Sequence, residues 1–139
     1  MDLMLKAVAV VRNGVTETPE DWDEVRSTLV FKRRYAEGLY RLGHFRHIWV
    51  IFGFHRMKET RLRVHPRHDP SIPAVGVFAT CSPTRPNKLG LTLVELVSIR
   101  GRNVTVKGLD AFDGSPVYDI KPWEKEIDYR SARRSRKSR

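Results

Sequence analysis

One cysteine, Cys81, occurs in 139 residues, so no disulfide can form within the chain. A single free thiol suits a reducing compartment, and the cytoplasm is the expected location. No apolar run approaches the roughly 18 residues of a membrane-spanning helix; the longest, "IWVIFGF" (48–54), is far too short. The opening "MDLMLKAVAVV" lacks the basic start and small-residue cleavage site of a secretory leader. Neither GxGxxG nor GxxxxGK[ST] is present, which argues against a Rossmann dinucleotide site and a P-loop. His44 and His47 lie three apart, as do His65 and His68, without the four-residue spacing or a matched acid of a helical zinc site. No metal is expected. Nor does Cys81 have a local base to make it a nucleophile.

What the chain does have is positive charge. Lys and Arg number 26 against 16 Asp and Glu, a formal +10, and six of these cations lie in the last ten residues, "RSARRSRKSR". Arg133, Arg134 and Arg136 stand in this block. Such runs repel themselves, stay extended and contact phosphates; a purely solubilising tail is the plainer alternative. The length and the 40% apolar content fit one domain with one core, assigned to residues 1–128, followed by a basic, disordered tail over 129–139.

The pattern along that domain is mainly β. "LKAVAVV" (5–11) precedes an Asn13-Gly14 turn, and "TLVF" (28–31) reads as a second strand. "TETPEDWDEV" (16–25) reads as a loop or one helical turn. Tyr35, Leu39 and Leu42 at helical spacing predict a short helix over 33–42, with Gly43 beyond it. "HIWVIFGF" (47–54) is apolar enough for a strand buried on both faces. "RLRVH" (61–65), "AVGVFAT" (74–80), "LTLVELVSI" (91–99), "NVTVKGL" (103–109) and "SPVYDI" (115–120) follow, broken by Gly, Pro, Asn and Asp. Short strands at this spacing predict a single-domain β-barrel or sandwich whose strand-end loops carry any site.

Three polar loops stand out. "GFHRMK" places His55 and Arg56 just after the most apolar strand. "TCSPTRPNK" inserts a proline-stiffened segment between two apolar runs. "KGLDAFDGSPVYDIKPW" (107–123) holds Asp110, Asp113, Asp119 and Lys121. In a strand, Asp119 and Lys121 share a face, and an Asp113-Gly114 turn would bring Asp110 toward Asp119. Each feature also has an ordinary explanation: a turn that is only a turn, a surface ion pair, prolines that merely stiffen.

Taken together, "FRHIWVIFGFH" (45–55), "GVFATCSPTRPNKLGLT" (76–92) and "GLDAFDGSPVYDIKPW" (108–123) resemble the TrmO (YaeB-like) family of tRNA adenine-37 N6-methyltransferases. The corresponding family patterns are "FSHLWVLF-FH", "GVFATRSPxRPNPIGLS" and "GLDLLDGTPVLDIKPY". The resemblance spans about residues 5–128 and departs at Cys81 (arginine in the pattern), Lys88 (proline) and Trp123 (tyrosine). It implies a homodimeric β-barrel methyltransferase that uses S-adenosylmethionine to methylate N6 of the modified adenosine beside the tRNA anticodon. Carried onto this sequence, it puts cofactor contacts at His55, Arg56, Cys81, Leu91, Lys107, Gly108, Leu109 and Asp110. Chemistry at N6 demands positioning and an acceptor for the departing proton, for which the candidates are Asn87, Asp119 and backbone carbonyls of the proline-stiffened loop, Asn87 and Asp119 being preferred. Lys121, grouped with them as catalytic, and Arg85 are expected to hold the threonylcarbamoyl carboxylate or the flanking phosphates, and Arg85, Lys88, Arg133, Arg134 and Arg136 are expected to contact RNA. A barrel that binds RNA but has lost its cofactor through Cys81 is the alternative, and a histidine-based metal hydrolase a distant third.

Overall fold

The computed structural model describes residues 1–126. Eight strands form: β1 Ala9–Arg12, β2 Arg26–Phe31, β3 His47–Gly53, β4 Arg63–Val64, β5 Val75–Gly76, β6 Leu89–Arg100, β7 Asn103–Lys107 and β8 Pro116–Pro122. Six of them close into an antiparallel barrel in the order β1-β2-β7-β6-β3-β8, while β4 and β5 pair as a separate ribbon. The expected β-barrel is therefore what the chain builds.

The barrel follows from period-two patterning. Ala9 and Val11, Leu29 and Phe31, Ile48, Val50 and Phe52, Val94, Val104 and Val106, and Val117 are all buried and form one core. Each valine, leucine, isoleucine or phenylalanine among them contributes about 1.5–3 kcal/mol on burial. Closure makes distant segments neighbours. The amide of Asn13, just past β1, donates to Asp113 before β8, a hundred residues away, at 2.9 Å.

Three local expectations change. Residues 33–42 do not make one regular helix; a 3-10 helix spans Arg33–Leu39 and Arg41 then turns left-handed at φ 68°. Strand β3 is not buried on both faces: Ile48, Val50 and Phe52 point inward, and Trp49 and Ile51 are only half-buried outside. The strand expected over 74–80 shrinks to Val75–Gly76 and passes into a 3-10 turn, Val77–Ala79. Both the amide and the hydroxyl of Thr80 donate to the carbonyl of Val77, which curls the chain where a strand would run on.

One close approach shapes the barrel's upper end. Gly90 pairs with Phe52 across β6 and β3, and a β-carbon at Gly90 would lie 2.4 Å from the phenyl ring. Only glycine lets the ring lie flat there.

Candidate active-site clefts

Two clefts open beside Phe52. The larger, about 490 Å³, is walled by Trp22, Phe52, Phe54, Met57 and Phe112, with His55, Arg56, Asp110 and Ser115 supplying polar groups. The smaller, about 220 Å³, runs between Thr80–Cys81, Arg85 and Leu89–Thr92. Phe52, Phe54 and Asp110 line both, so the two are neighbours across a shared wall. The ends of the three motif segments thus converge at one end of the barrel.

Each polar group has a defined setting. The buried Ser115 hydroxyl donates to the carbonyl of Phe112 at 2.7 Å and lies 3.2 Å from His55 Nδ1. With its single proton spent on Phe112, Ser115 is left to accept from His55, which puts a hydrogen on Nδ1. Arg56 stacks its guanidinium over Phe112, 4.3 Å from the ring centroid, and donates to the carbonyl of Thr16. Trp22 meets the same phenyl ring edge-on at 5.5 Å. Asp110 receives the hydroxyl of Thr92 on one carboxylate oxygen.

Asp113 is a brace. Its carboxylate accepts from the amides of Asn13 (2.9 Å) and Gly14 (3.1 Å), and these two bonds hold it below the usual aspartate range. It ties the first turn to the loop before β8. Gly114, at φ 86°, completes that turn in a conformation suited to glycine.

The proline loop is held from within. Arg85 Nη1 donates to the carbonyls of Thr80 (2.8 Å) and Ser82 (3.2 Å), and Phe78 flanks its guanidinium. Lys88 donates to Thr60 Oγ1 (2.6 Å) and to the carbonyl of Arg85 (2.8 Å), on a left-handed backbone at φ 50°. Both cations expected to face RNA therefore also hold this loop together.

The remaining expected residues divide sharply. His55, Arg56, Asp110, Cys81 and Leu91 line the clefts, Cys81 and Leu91 being exposed at the smaller one. Leu109 is fully buried in the core, so its side chain has no face for an adenine. Lys107 lies 3.5 Å from Glu24, and the Gly108 amide donates to the carbonyl of Val25. Asn87 sits exposed in the Arg85–Lys88 turn and lines neither cleft.

Asp119 and Lys121 lie outside, opposite Ile51 and Trp49 on the barrel's outer wall. Asp119 caps the amide of Ile120. The anticipated meeting of Asp110 and Asp119 in one site does not occur in these clefts: only Asp110 lines them. Among the described residues, no group of three His, Cys, Asp or Glu side chains is arranged to hold a metal. No helix of the described residues is long and apolar enough to cross a membrane. Arg133, Arg134 and Arg136 lie outside the described residues.

Sequence reading missed Trp22, Phe112 and Thr92. A lone tryptophan in an acidic loop was the one available signal for the first. The other two acquire meaning only when the barrel closes.

The sequence profile of the tRNA-methyltransferase O N-terminal domain matches residues 6–129. The chain belongs to the TrmO family. Among TrmO-like relatives, an S-adenosyl-L-methionine-binding protein of Archaeoglobus fulgidus is 36% identical over 132 residues, covering 91% of this chain and 93% of that protein. The human tRNA (adenine(37)-N6)-methyltransferase is 33% identical over 132 residues, 89% of this chain but 29% of the human one. The crystal structure of TrmO from Pseudomonas aeruginosa superimposes with a TM-score of 0.74 at 28% identity, over 92% of this chain and 58% of that one. The chain thus spans little more than half of the solved TrmO.

Proposed function

We propose that this protein is an S-adenosylmethionine-dependent methyltransferase acting on N6 of the modified adenosine at position 37 of tRNA. The observation that carries the reading is the convergence of the three TrmO motif segments on the paired clefts around Phe52. The larger cleft, about 490 Å³, falls within the roughly 300–1,000 Å³ of small-molecule sites. Its donor set also fits. Aromatic walls suit an adenine, the Asp110 carboxylate suits an ammonium or a ribose, and the Arg56 guanidinium suits a carboxylate.

Bound there, the cofactor supplies an electrophilic methyl group on a cationic sulfur. This chain's contribution is positional. Adenosine N6 shares its lone pair with the ring, so the cleft must align it and hold an acceptor for its proton. His55, whose ring lines the larger cleft, is the candidate for that role in place of Asp119, whose side chain faces the outer wall. Asn87, on the exposed turn beside the smaller cleft, is placed to meet the RNA rather than the reacting nitrogen.

The outer wall supports the homodimer. Trp49 and Ile51 on β3 pair with Leu93 and Leu91 on β6, and the two leucines are 37% and 62% exposed. Asp119 and Lys121 border the same patch, a charge pair that a second copy in reversed orientation would match. Leu93→Asp should convert a dimer to a monomer in sedimentation equilibrium; a wild-type protein that is already monomeric would remove this interface. The tail, residues 129–139, is assigned to phosphate contacts beside the anticodon loop. A tRNA substrate and the single thiol support a cytoplasmic location.

Calorimetry with S-adenosylmethionine and methyl transfer to modified tRNA followed by mass spectrometry test the reading. Asp110→Ala should weaken cofactor binding about 10- to 150-fold, the worth of a charge-assisted hydrogen bond of about 1.5–3 kcal/mol. Cofactor binding without transfer to any adenosine-37 tRNA would refute the enzyme. RNA binding without cofactor binding would favour the inactive barrel, the reading that the arginine-to-cysteine departure at Cys81 makes worth testing.

A further inference from the structure

We infer that the groove beside the β4–β5 ribbon is a binding track for the phosphodiester backbone of the RNA next to the target nucleotide. This rests on the tRNA reading above and extends it to a surface whose arginines lie outside the three motif segments.

The groove, about 540 Å³, lies between the segment around Arg61–Pro70 and the loop from Ala79 to Thr84. Arg61, Arg63 and Arg67 line it, with no acidic side chain in its walls. Arg61 is paired with Glu59 at 2.8 Å, whereas Arg63 and Arg67 form no ion pair among the described residues. The nearest acid in sequence, Asp69, turns its carboxylate onto the amide and hydroxyl of Ser71. Two unneutralised guanidiniums in one concave wall are suited to phosphate oxygens, which they can grip through paired N–H donors.

The backbone is built to present them. Arg67 and His68 are consecutive left-handed residues, at φ 57° and 55°, neither of them glycine. Such conformations cost on the order of 1 kcal/mol or more each and persist only where surrounding contacts enforce them. Here the His65 ring bonds the carbonyl of Ile72 at 2.8 Å, and the amides of His68 and Asp69 close onto His65 and Pro66. The groove also continues into the proposed active site: Thr80 and Cys81 line both it and the smaller cleft, and His68 lines both it and the larger one. RNA whose base enters the clefts would have its backbone pass along this wall.

The test is the double variant Arg63→Gln, Arg67→Gln in the full chain. Glutamine removes the charge without adding a branched side chain at the left-handed position. Lys32→Gln, Arg100→Gln is the control with equal charge loss; Arg100 ends β6 and Lys32 follows β2, at the opposite end of the barrel from the clefts. Fluorescence anisotropy with a tRNA transcript is recorded across a salt series, with S-adenosylmethionine affinity by calorimetry on the same samples. The groove variant should lower the slope of log K against log salt by about 1–2, the loss of two phosphate contacts, with cofactor affinity unchanged and the control's slope close to wild type. Equal slopes for groove variant and control would overturn the track, as would a wild type that binds no RNA. A groove-dependent slope in a protein that transfers no methyl group would leave the track standing and remove the methyltransferase.

Discussion

Phe52→Ala should cost about 3–5 kcal/mol of folding stability, as large-to-small changes of a buried phenyl ring do. That is a large share of the roughly 5–15 kcal/mol available to a domain. The ring is 1% exposed, lies flat on Gly90 and meets Phe54 edge-on at 5.3 Å. No neighbouring side chain can close the gap from the Gly90 side, because there is none. Urea unfolding should show a lower midpoint with an unchanged slope. Phe52→Leu keeps more of the buried volume and should retain most of the stability while still weakening S-adenosylmethionine binding, because the same ring floors both clefts. A loss below 1 kcal/mol for Phe52→Ala would mean that the upper barrel repacks, and that Phe52 does not set the shape of the site.

Arg85→Ala should be the most damaging change within the proline loop. Its guanidinium collects the carbonyls of Thr80 and Ser82, and hydrogen bonds to a charged donor are worth about 1.5–3 kcal/mol. Without it the segment bearing Cys81 loses its internal tie. Cofactor affinity should fall tenfold or more, with faster hydrogen exchange of the amides over 80–84. All of these bonds leave one nitrogen, Nη1, so Arg85→Lys should recover part of the loss if the ammonium reaches the position of Nη1. A lower salt dependence of RNA binding with unchanged loop exchange would instead make Arg85 a phosphate contact, as its sequence context first suggested.

The barrel was legible where residues carry a strong period of their own. β-Branched and apolar runs located β3, β6 and β7 within a few residues. It could not tell which face of β8 turns inward. A register shift between Ile51 and Phe52 opposite β8 places Val117 and Ile120 on the core side and leaves Asp119 and Lys121 outside, a parity that no pattern within 115–120 contains. The chain over 74–80 looked like a strand because Val and Phe favour one; hydrogen bonds from Thr80 to Val77 decided otherwise. Three motifs located the clefts, but the aromatic wall did not come with them. Trp22 and Phe112 are ninety residues apart in sequence and meet only through closure of the barrel. Arg85 and Lys88 were visible as charges, and their service to the loop's own carbonyls was not.

Lys88 makes this loop a different turn from the one a proline would build. The related pattern has proline at that place, and a proline ring fixes φ near −65°, whereas Lys88 sits at φ 50°. The two residues are therefore not interchangeable parts of one turn. A chain bearing proline must route its backbone differently between Asn87 and Leu89, and could not send an ammonium to Thr60 and the carbonyl of Arg85. The exchange trades a turn stiffened by a ring for one pinned by a cation. Loops bearing proline and lysine would then differ in path as well as in side chains, so Lys88→Pro alone would remove the pin without creating the proline turn.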